Sequence, residues 1–510
     1  HLPARGQEKE TVTKQGFVEI FNGKDLTGWE GDAGLWRVEG GVITGETSDA
    51  NPIPYNKFLI WRDGELDDFE LKVEYLISSG NSGIQYRSFP LPDTEFAVGG
   101  YQADFDAENK HTGLVYGEKF RGMLAKRGEK TKMTGGKKPE VVGSTGDPAQ
   151  LASGILKGDW NEYHIIARGD HIVQKINGVI MSELTDSDRA ARRRDGLLAF
   201  QLHRGPAMKV QFRNVRLKRL PLIDRKKVVF VAGTPSHGVG AHEHNAGCLL
   251  MARLLNENYG DQIQAVVYRN GWPADATAFQ NADALVMYCD GGARHVAYEH
   301  RPQVNALAKR GIGIGCIHYG VEMNPGETNN DLTSWIGGAF ETDYSVNPHW
   351  DAEFTTFPGH PVARGVKPFT INDEWYFNMR FAAEMAGVTP ILSAIAPEST
   401  MERPDGHHSG NPLVRGMVAE KLPQHVAWVY GRPDGGRGFG FTGAHFHANW
   451  ANDSFRKTVL NAIAWIANIE IPAAGIETPT PSEKEMLANL DPGKKKTPKK
   501  RHSPAKAKAE

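Results

Sequence analysis

The sequence predicts a two-domain protein in which an all-β sandwich or jelly roll is followed by an α/β domain with a parallel, doubly wound sheet. Three observations predict it. At 510 residues the chain exceeds what one hydrophobic core serves. Between residues 16 and 220, short runs alternate apolar and polar side chains with almost no helical period. From 225 to 472, continuous apolar runs alternate with helical stripes, the pattern of a parallel sheet wrapped by helices. The change falls at KVVFVAGTPSHGVGAHEHNAG, Lys227 to Gly247, where an apolar strand enters a Gly/His-rich loop that opens a helix.

In the first domain, Phe69 to Ile77 (FELKVEYLI) puts Phe69, Leu71, Val73, Tyr75 and Ile77 on one face and Glu70, Lys72 and Glu74 on the other. That period of two marks a half-buried antiparallel strand. It returns in Tyr163 to Ala167 and His171 to Ile176, and Asn177-Gly178 supplies a two-residue hairpin turn into Val179 to Met181. Leu197 to His203 and Met208 to Leu217 complete the set, with a phase shift near Arg213-Asn214 of the kind a bulge causes. Many short strands at close spacing indicate a sandwich or jelly roll. Lys119 to Ser153, rich in Lys, Gly and Thr, reads as a long loop forming a lid at the sheet rim.

In the second domain, Val228 to Val231 is a buried parallel strand, and helical spacing runs from about Glu243 to Asn258. Gln264 to Tyr268, Ala284 to Tyr288 and Ile312 to His318 are further strands, and Val296 to Arg310 is a helix ended by Gly311. Asp453 to Asn468 closes the domain as a helix, with Phe455, Val459, Ala462, Ile463 and Ile466 on one stripe. From Ala473 to residue 510 the apolar period is lost. The basic, Pro-punctuated run at Lys494 to Lys508 makes this a disordered tail.

A net charge of -2 gives no overall attraction to nucleic acid, and no apolar run is long enough for a transmembrane helix, so neither nucleic acid nor membrane is an expected partner. Cys248, Cys289 and Cys316 are too few and too uneven for a disulfide framework, and read as buried free thiols. Gly315-Cys316-Ile317-His318 lacks the Gly-x-nucleophile-x-Gly spacing of a nucleophile elbow. The chain opens on His1 rather than Met, which fits removal of an upstream segment and an expected periplasmic or secreted location.

Two groups of polar residues are candidate sites. In the sandwich, Tyr86, Gln102, Asp104, Gln201 and His203 are expected to converge on a concave face, because residues i and i+2 of a strand share a side. Aromatic, amide and carboxylate side chains suit a sugar, whose rings offer apolar faces and whose hydroxyls donate and accept. An ordinary solvated sheet face is the alternative. In the α/β domain, His237, Asp290, His318 and His445 stand at strand ends, which share one crevice in an open α/β sheet. With Glu374 as carboxylate partner, His237, His318 and His445 make an N/O set for zinc or a similar divalent ion. Separate hydrogen-bonded histidines are the alternative.

The segments FVEIFNGKDLTGW (Phe17 to Trp29), GLWRVEGGVITGE (Gly34 to Glu46), SGNSGIQYR (Ser79 to Arg87), GYQADFDAENKHTGLVYGE (Gly100 to Glu118), GDWNEYHIIARGDHIVQKINGV (Gly158 to Val179) and VQFRNVRLK (Val210 to Lys218) resemble the 3-keto-disaccharide hydrolase domain family. The resemblance implies a concanavalin-like jelly roll acting on 3-keto-glycosides by hydrolysis or elimination. Where that family commonly shows Glu-x-Gln, this chain has Gly100-Tyr101-Gln102, so the amide is kept and the carboxylate is missing, with Asp104 the nearest replacement. A ketone at C3 acidifies the C2 proton, so a modest base removes it, the enolate expels the C1 oxygen, and water adds later. The route needs a base, an acid and a group on the enolate oxygen. Asp104 or His203 is the candidate base, and Arg87 or His203 the candidate stabiliser or acid, with Tyr86, Gln102 and Gln201 binding substrate.

In the second half, GTPSHGVGAHEHNAGCLL, GIGCIHYG, HPVARGVKPFTINDEWYFN and the stretch His425 to Ala467 resemble the trehalose-utilisation, ThuA-like family. The resemblance implies a fold like class I glutamine amidotransferases and a role in sugar metabolism. It implies no amidotransferase activity, since His318 lies near where such an enzyme carries its cysteine. Together the halves point to an enzyme cleaving 3-keto-glycosides, with a second sugar or metal site in the ThuA-like domain. The alternative is a carbohydrate-binding jelly roll attached to a catalytic or scaffolding domain.

Overall fold

The computed structural model describes residues 15–135, 138–324 and 326–492. The chain divides into two compact units. The first runs to Arg225 and also takes in Pro273–Ala282; the second takes Lys226–Trp272 and the chain from Asp283 onward. A division into unbroken stretches at residues 220 and 225 does not contain that return segment. Arg219 holds it: its buried guanidinium bonds Asp275 Oδ2 at 2.6 Å, Thr277 Oγ1 at 2.8 Å and Asp67 Oδ1 at 3.2 Å.

Among the described residues of the first unit, ten strands form one sheet and seven another. The first sheet centres on Phe69–Ser79, flanked antiparallel by Asn161–Arg168 and Lys209–Arg219. Its pleat turns Leu71, Val73 and Tyr75 inward and leaves Glu70 and Glu74 outward, bonded to Lys218 and Arg213 at 3.0 and 2.7 Å. The second sheet runs in the order Gly122–Ala125, Val115–Glu118, Val98–Asp106, Asn81–Pro90, Leu197–Leu202, Lys57–Trp61, Trp29–Glu30. Rings from the two sheets meet in one buried cluster, Tyr75 with Phe105 at 4.1 Å and Phe200 with Phe212 at 4.0 Å. Each such side chain contributes about 1.5–3 kcal/mol by leaving water, which is what joins the layers.

Local signals act as the sequence implies. Asn177 and Gly178 both take positive φ, and Ile176 pairs with Val179 across the turn they make. The register slips between Arg213 and Arg216, with Asn214 at φ 49°. The stretch expected to be a lid differs. Its described part contains Gly122–Ala125, Glu129–Met133, Glu140–Ser144 and the helix Pro148–Ser153, which extend both sheets at their edges. Edge strands bury few side chains, so a polar composition there conceals ordered backbone pairing.

The sheet of the second unit has the order Ile263–Tyr268, Lys226–Ala232, Ala284–Tyr288, Gly313–Ile317, Arg437–Phe441, Gln424–Gly431, Val388–Ala394. The first five pair parallel, and the last two pairings, through Gln424–Gly431, are antiparallel. Helices His244–Tyr259 and Asp453–Ile466 share a core with Val228, Phe230 and Val286. Helix Glu327–Ile336 packs against Arg437–Phe441 so closely that a Cβ on Gly438 would lie 2.4 Å from the Trp335 carbonyl. The helix expected from Val296 starts only at Arg301, with Pro302 in its first turn. Among the described residues, no helix is long and apolar enough to cross a membrane.

The expected tail begins later than Ala473. Ile476 is buried, its amide donating to Asn461 Oδ1 at 2.7 Å, and Ser482 caps a short helix, Glu483–Met486. Asp491 N donates to Glu243 Oε2 at 2.7 Å. Hydrogen bonds pin this stretch where apolar residues are sparse, and periodicity does not register them. Lys494 to Lys508 lies outside the described residues.

Candidate functional site

The outer face of the sandwich's second sheet carries a cleft of about 350 Å³ lined by Asn81, Gln102, Asp104, His111, Leu114, Tyr116, Glu118, Met123 and His203. Alternation along Val98–Asp106 sends Tyr101, Ala103 and Phe105 into the core and Gln102 and Asp104 outward. Gly83 makes room for this: a Cβ there would lie 2.4 Å from Gln102 Cδ. Gln85 Nε2 donates to Gln102 Oε1 at 2.7 Å, and Ser88 Oγ to Gln85 Oε1 at 2.8 Å, an orientation that makes Nε2 the donor end of Gln102. Asp104 is 8% exposed and accepts from Asn81 Nδ2 at 2.8 Å. Burial pushes its carboxyl up to about 7, the neighbouring Asp106 and Glu118 adding to the effect and the Asn81 bond opposing it.

Gln102, Asp104 and His203 thus share one cleft, while three other expected site residues, Tyr86, Arg87 and Gln201, are not among its lining. Tyr86 is wholly buried between the sheets, stacked on Tyr101 at 5.9 Å and accepting from Gln174 Nε2 at 3.0 Å. Its neighbour Gln85 has the outward side, so the face was assigned one residue off. Arg87 sits at φ 47° and is 1% exposed. Its guanidinium bonds the Asp67 and Gly169 carbonyls and Asp68 Oδ1, each at 2.8 Å. Those bonds engage all three of its nitrogens in a structural role. Gln201 is fully buried on the same sheet, with neither amide atom hydrogen-bonded, and is not among the cleft's lining residues. The residues that sequence reasoning missed are Asn81, His111, Tyr116 and Glu118. Glu118 closes the quoted motif Gly100 to Glu118, and only strand pairing places it.

In the second unit, His242, His318, Glu374 and His445 each offer one ligand atom within 4.8 Å of the others. All four lie at or beyond the carboxyl ends of strands. His318 follows Gly313–Ile317, His445 follows Arg437–Phe441, and Glu374 ends the hairpin strand Phe369–Glu374. His242 Nε2 stands 3.1 Å from both His318 Nε2 and His445 Nδ1, and His445 Nδ1 stands 3.0 Å from Glu374 Oε2. His237, expected in the set, is replaced by His242. Its ring stacks on His242 at 3.6 Å and belongs to an adjoining group with His242 and Asp290. Three imidazoles in one short loop cannot be ordered by spacing, and the left-handed backbone at His242, φ 51°, decides which turns inward.

The surroundings fix the tautomers. His318 Nδ1 lies 2.8 Å from the Thr442 carbonyl, which only accepts, so Nδ1 carries the proton and Nε2 a lone pair. His242 Nδ1 lies 3.1 Å from Asp290 Oδ1. Burial alone would raise Asp290, but the bonds from His242 and Ser236 and the nearby His244 outweigh it and hold the carboxyl at about 2, an ionised acceptor. With Asp290 accepting the proton of Nδ1, the neutral form of His242 also turns a lone pair inward. Burial pushes His318 well below the usual imidazole range and His237 down to about 4, neighbouring His242 adding to both. A cation between His242 Nε2 and His318 Nε2, which stand 3.1 Å apart, would meet a lone pair from each, and the donor set fits a divalent cation of the zinc type. His318 and Ala444, beside His445, also take positive φ, at 55° and 81°. Such strain persists where surroundings over-determine it, here through Asp373, which accepts from Ala444 N at 2.7 Å and His445 N at 3.0 Å.

The chain thus holds a sandwich with a polar cleft and an α/β unit with a histidine centre. Residues 16–218 match the family model of the 3-keto-alpha-glucoside-1,2-lyase-like domain, and residues 227–466 match that of trehalose utilisation. None of the curated proteins matches the chain. Similar solved structures include a candidate glycosyl hydrolase from Parabacteroides distasonis ATCC 8503, at 21% identity and TM-score 0.28, covering 41% of this chain and 99% of that one. The carbohydrate-binding module CBM66 from Bacillus subtilis matches at 19% and 0.24, covering 38% and 96%. A ThuA-like protein from Bacteroides uniformis ATCC 8492 matches at 13% and 0.35, covering 48% and 91%.

Proposed function

We propose that the chain is a carbohydrate-processing enzyme whose first unit cleaves 3-keto-glycosides through removal of the C2 proton, and whose second unit binds a divalent cation. Asp104 carries the reading. It is a buried carboxyl held at about 7 in a cleft whose amides, imidazoles and phenol suit a sugar. A base poised near neutrality is matched to a proton acidified by an adjacent ketone. With Arg87 committed elsewhere, Gln102 Nε2 is the donor available to the enolate oxygen. A concanavalin-like jelly roll and a class I glutamine amidotransferase-like fold accompany the reading and are compatible with the strand orders.

In the second unit, His242, His318, Glu374 and His445 are the residues that would hold the ion, in place of a set containing His237. When bound, such an ion supplies Lewis-acid polarisation of a sugar oxygen. The chain's own part is positional, with Thr442 and Asp290 presenting the imidazole nitrogens and Asp373 setting the His445 loop.

The test is turnover of a 3-keto-glucoside by the full chain. Asp104→Asn is expected to lower the rate roughly 10²–10⁴-fold. Unchanged rates for both Asp104→Asn and His203→Ala would remove the cleft as the site. Sugar binding without turnover by the wild type would favour the carbohydrate-binding reading.

A further inference from the structure

The backbone at Gly100 takes φ 147°, and a Cβ there would lie 2.5 Å from Ser88 Oγ and 2.7 Å from Ser88 Cα. No side chain fits, so the strand Val98–Asp106 can offer no carboxylate from that position. The residue paired with Gly100 on the next strand is Glu118, just as Tyr116 is paired with Gln102. Directly opposed residues of antiparallel strands share a face. Glu118 therefore enters, beside the bare glycine, the cleft that Asp104 and His203 line. Its carboxyl is 8% exposed and is oriented by Asn56 Nδ2, which donates to Oε1 at 3.1 Å.

Building on the 3-keto-glycoside reading of the cleft, we propose that Glu118 is its second catalytic carboxyl, the acid that protonates the departing C1 oxygen. Asp104 takes the C2 proton, and the C–H electron pair forms the C2–C3 double bond while the carbonyl pair moves to the C3 oxygen. When the C3 carbonyl re-forms, the C2–C3 pair moves to C1–C2 and the C1–O bond breaks. The leaving oxygen takes its proton from Glu118, giving the free alcohol and an enone. Water then adds at C1, Glu118 accepting its proton and Asp104 returning one to C2, so the net change is hydrolysis and both carboxyls are restored.

The two carboxyls share one water-poor cleft. Burial raises the Glu118 carboxyl, with Asn56, Lys119 and His203 opposing the shift, and the charge of Glu118 contributes to the rise at Asp104. The roles are therefore assigned by position, Asp104 beside Gln102 on one strand and Glu118 opposite Gly100 on the next. His203, by contrast, is exposed.

Leaving-group dependence tests the assignment. Two 3-keto-glucosides are compared on the full chain, one with an alkyl aglycone that departs only when protonated and one with a 4-nitrophenyl aglycone that departs unaided. Glu118→Gln, near-isosteric and checked by circular dichroism, is expected to slow the alkyl substrate roughly 10²-fold or more while changing the nitrophenyl substrate less than about tenfold. Asn56→Ala, which releases the carboxyl without removing it, is expected to show the same selectivity in weaker form. Equal slowing of both substrates by Glu118→Gln, no slowing of either, or the selective pattern in His203→Ala instead would overturn the assignment. Full activity of Asp104→Asn, or a wild type inactive on both substrates, would overturn the cleft reading and this assignment together.

Discussion

The cleft of the sandwich takes Gln102, Asp104, Tyr116 and Glu118 from two adjacent strands, whereas the histidine centre takes each of its four groups from a different segment. His242 and His445 meet at 3.1 Å across a sequence separation of 203. In the cleft, a carboxyl sits where water is scarce. In the centre, imidazole nitrogens converge and are fixed from behind by Thr442, Asp290 and Asp373. The first arrangement tunes a proton; the second prepares a place for positive charge.

Substitutions separate the two most sharply at the ligands. His318→Ala is expected to take the full chain from one tightly bound zinc or similar ion to none by elemental analysis, with 3-keto-glycoside turnover in the sandwich intact. Asp104→Asn should do the reverse, and loss of both properties in either variant would break the separation. Next in size, Arg87→Ala leaves the buried Asp68 carboxylate unpaired and should cost about 3–5 kcal/mol in denaturant unfolding of the sandwich. A variant of unchanged stability but lost turnover would return Arg87 to the chemistry.

Asp290→Asn keeps the shape beside His242 but weakens the acceptor that sets its tautomer, so ion affinity measured by competition with a chelator should fall about 10–100-fold. His237→Ala, outside the group of four, should change affinity less. An equal loss would place His237 among the ligands.

The smallest effect follows from the raised carboxyl of Asp104. As a base it works only when ionised, so kcat/KM for the 4-nitrophenyl substrate, whose aglycone departs unaided, should rise with pH and level off above about 7. Stability runs the other way. A carboxyl whose folded pKa stands above the ordinary 3.8 of a free aspartate makes its full contribution below that value and loses it as pH rises through about 7. Asp104→Asn should therefore unfold at a slightly higher temperature than the wild type at pH 8, and at nearly the same temperature at pH 4. A lower temperature at pH 8 would show that the ionised carboxylate is stabilising.

Much of this was legible from local pattern. The alternation in Phe69–Ser79, the Asn177-Gly178 turn and the stripe of Asp453–Ile466 are short-range signals, and they specify strands, a hairpin and a helix wherever the chain places them. Gln102 and Asp104 share a face for the same reason. Tyr86 went astray because the choice between it and Gln85 depends on which side of the strand meets the other sheet, a tertiary fact. Arg87 looked available because a sequence does not show that Asp68 and two carbonyls have already engaged it. Glu118 required the register of two strands. In the α/β unit the kinds of ligand and their strand-end positions were readable, but choosing His242 over His237 required the loop's backbone.

Glu243 is flanked in sequence by His242 and His244, and its carboxylate joins two distant pieces of backbone, accepting from Gly240 N at 2.7 Å and from Asp491 N at 2.7 Å. The far end of the described chain is thus a clasp on the loop that presents His242. A fragment cut at residue 466, where the matched region ends, would keep every candidate ligand and the bonds of the loop to His445 and His447, yet lose the fastening that Asp491 gives to Glu243.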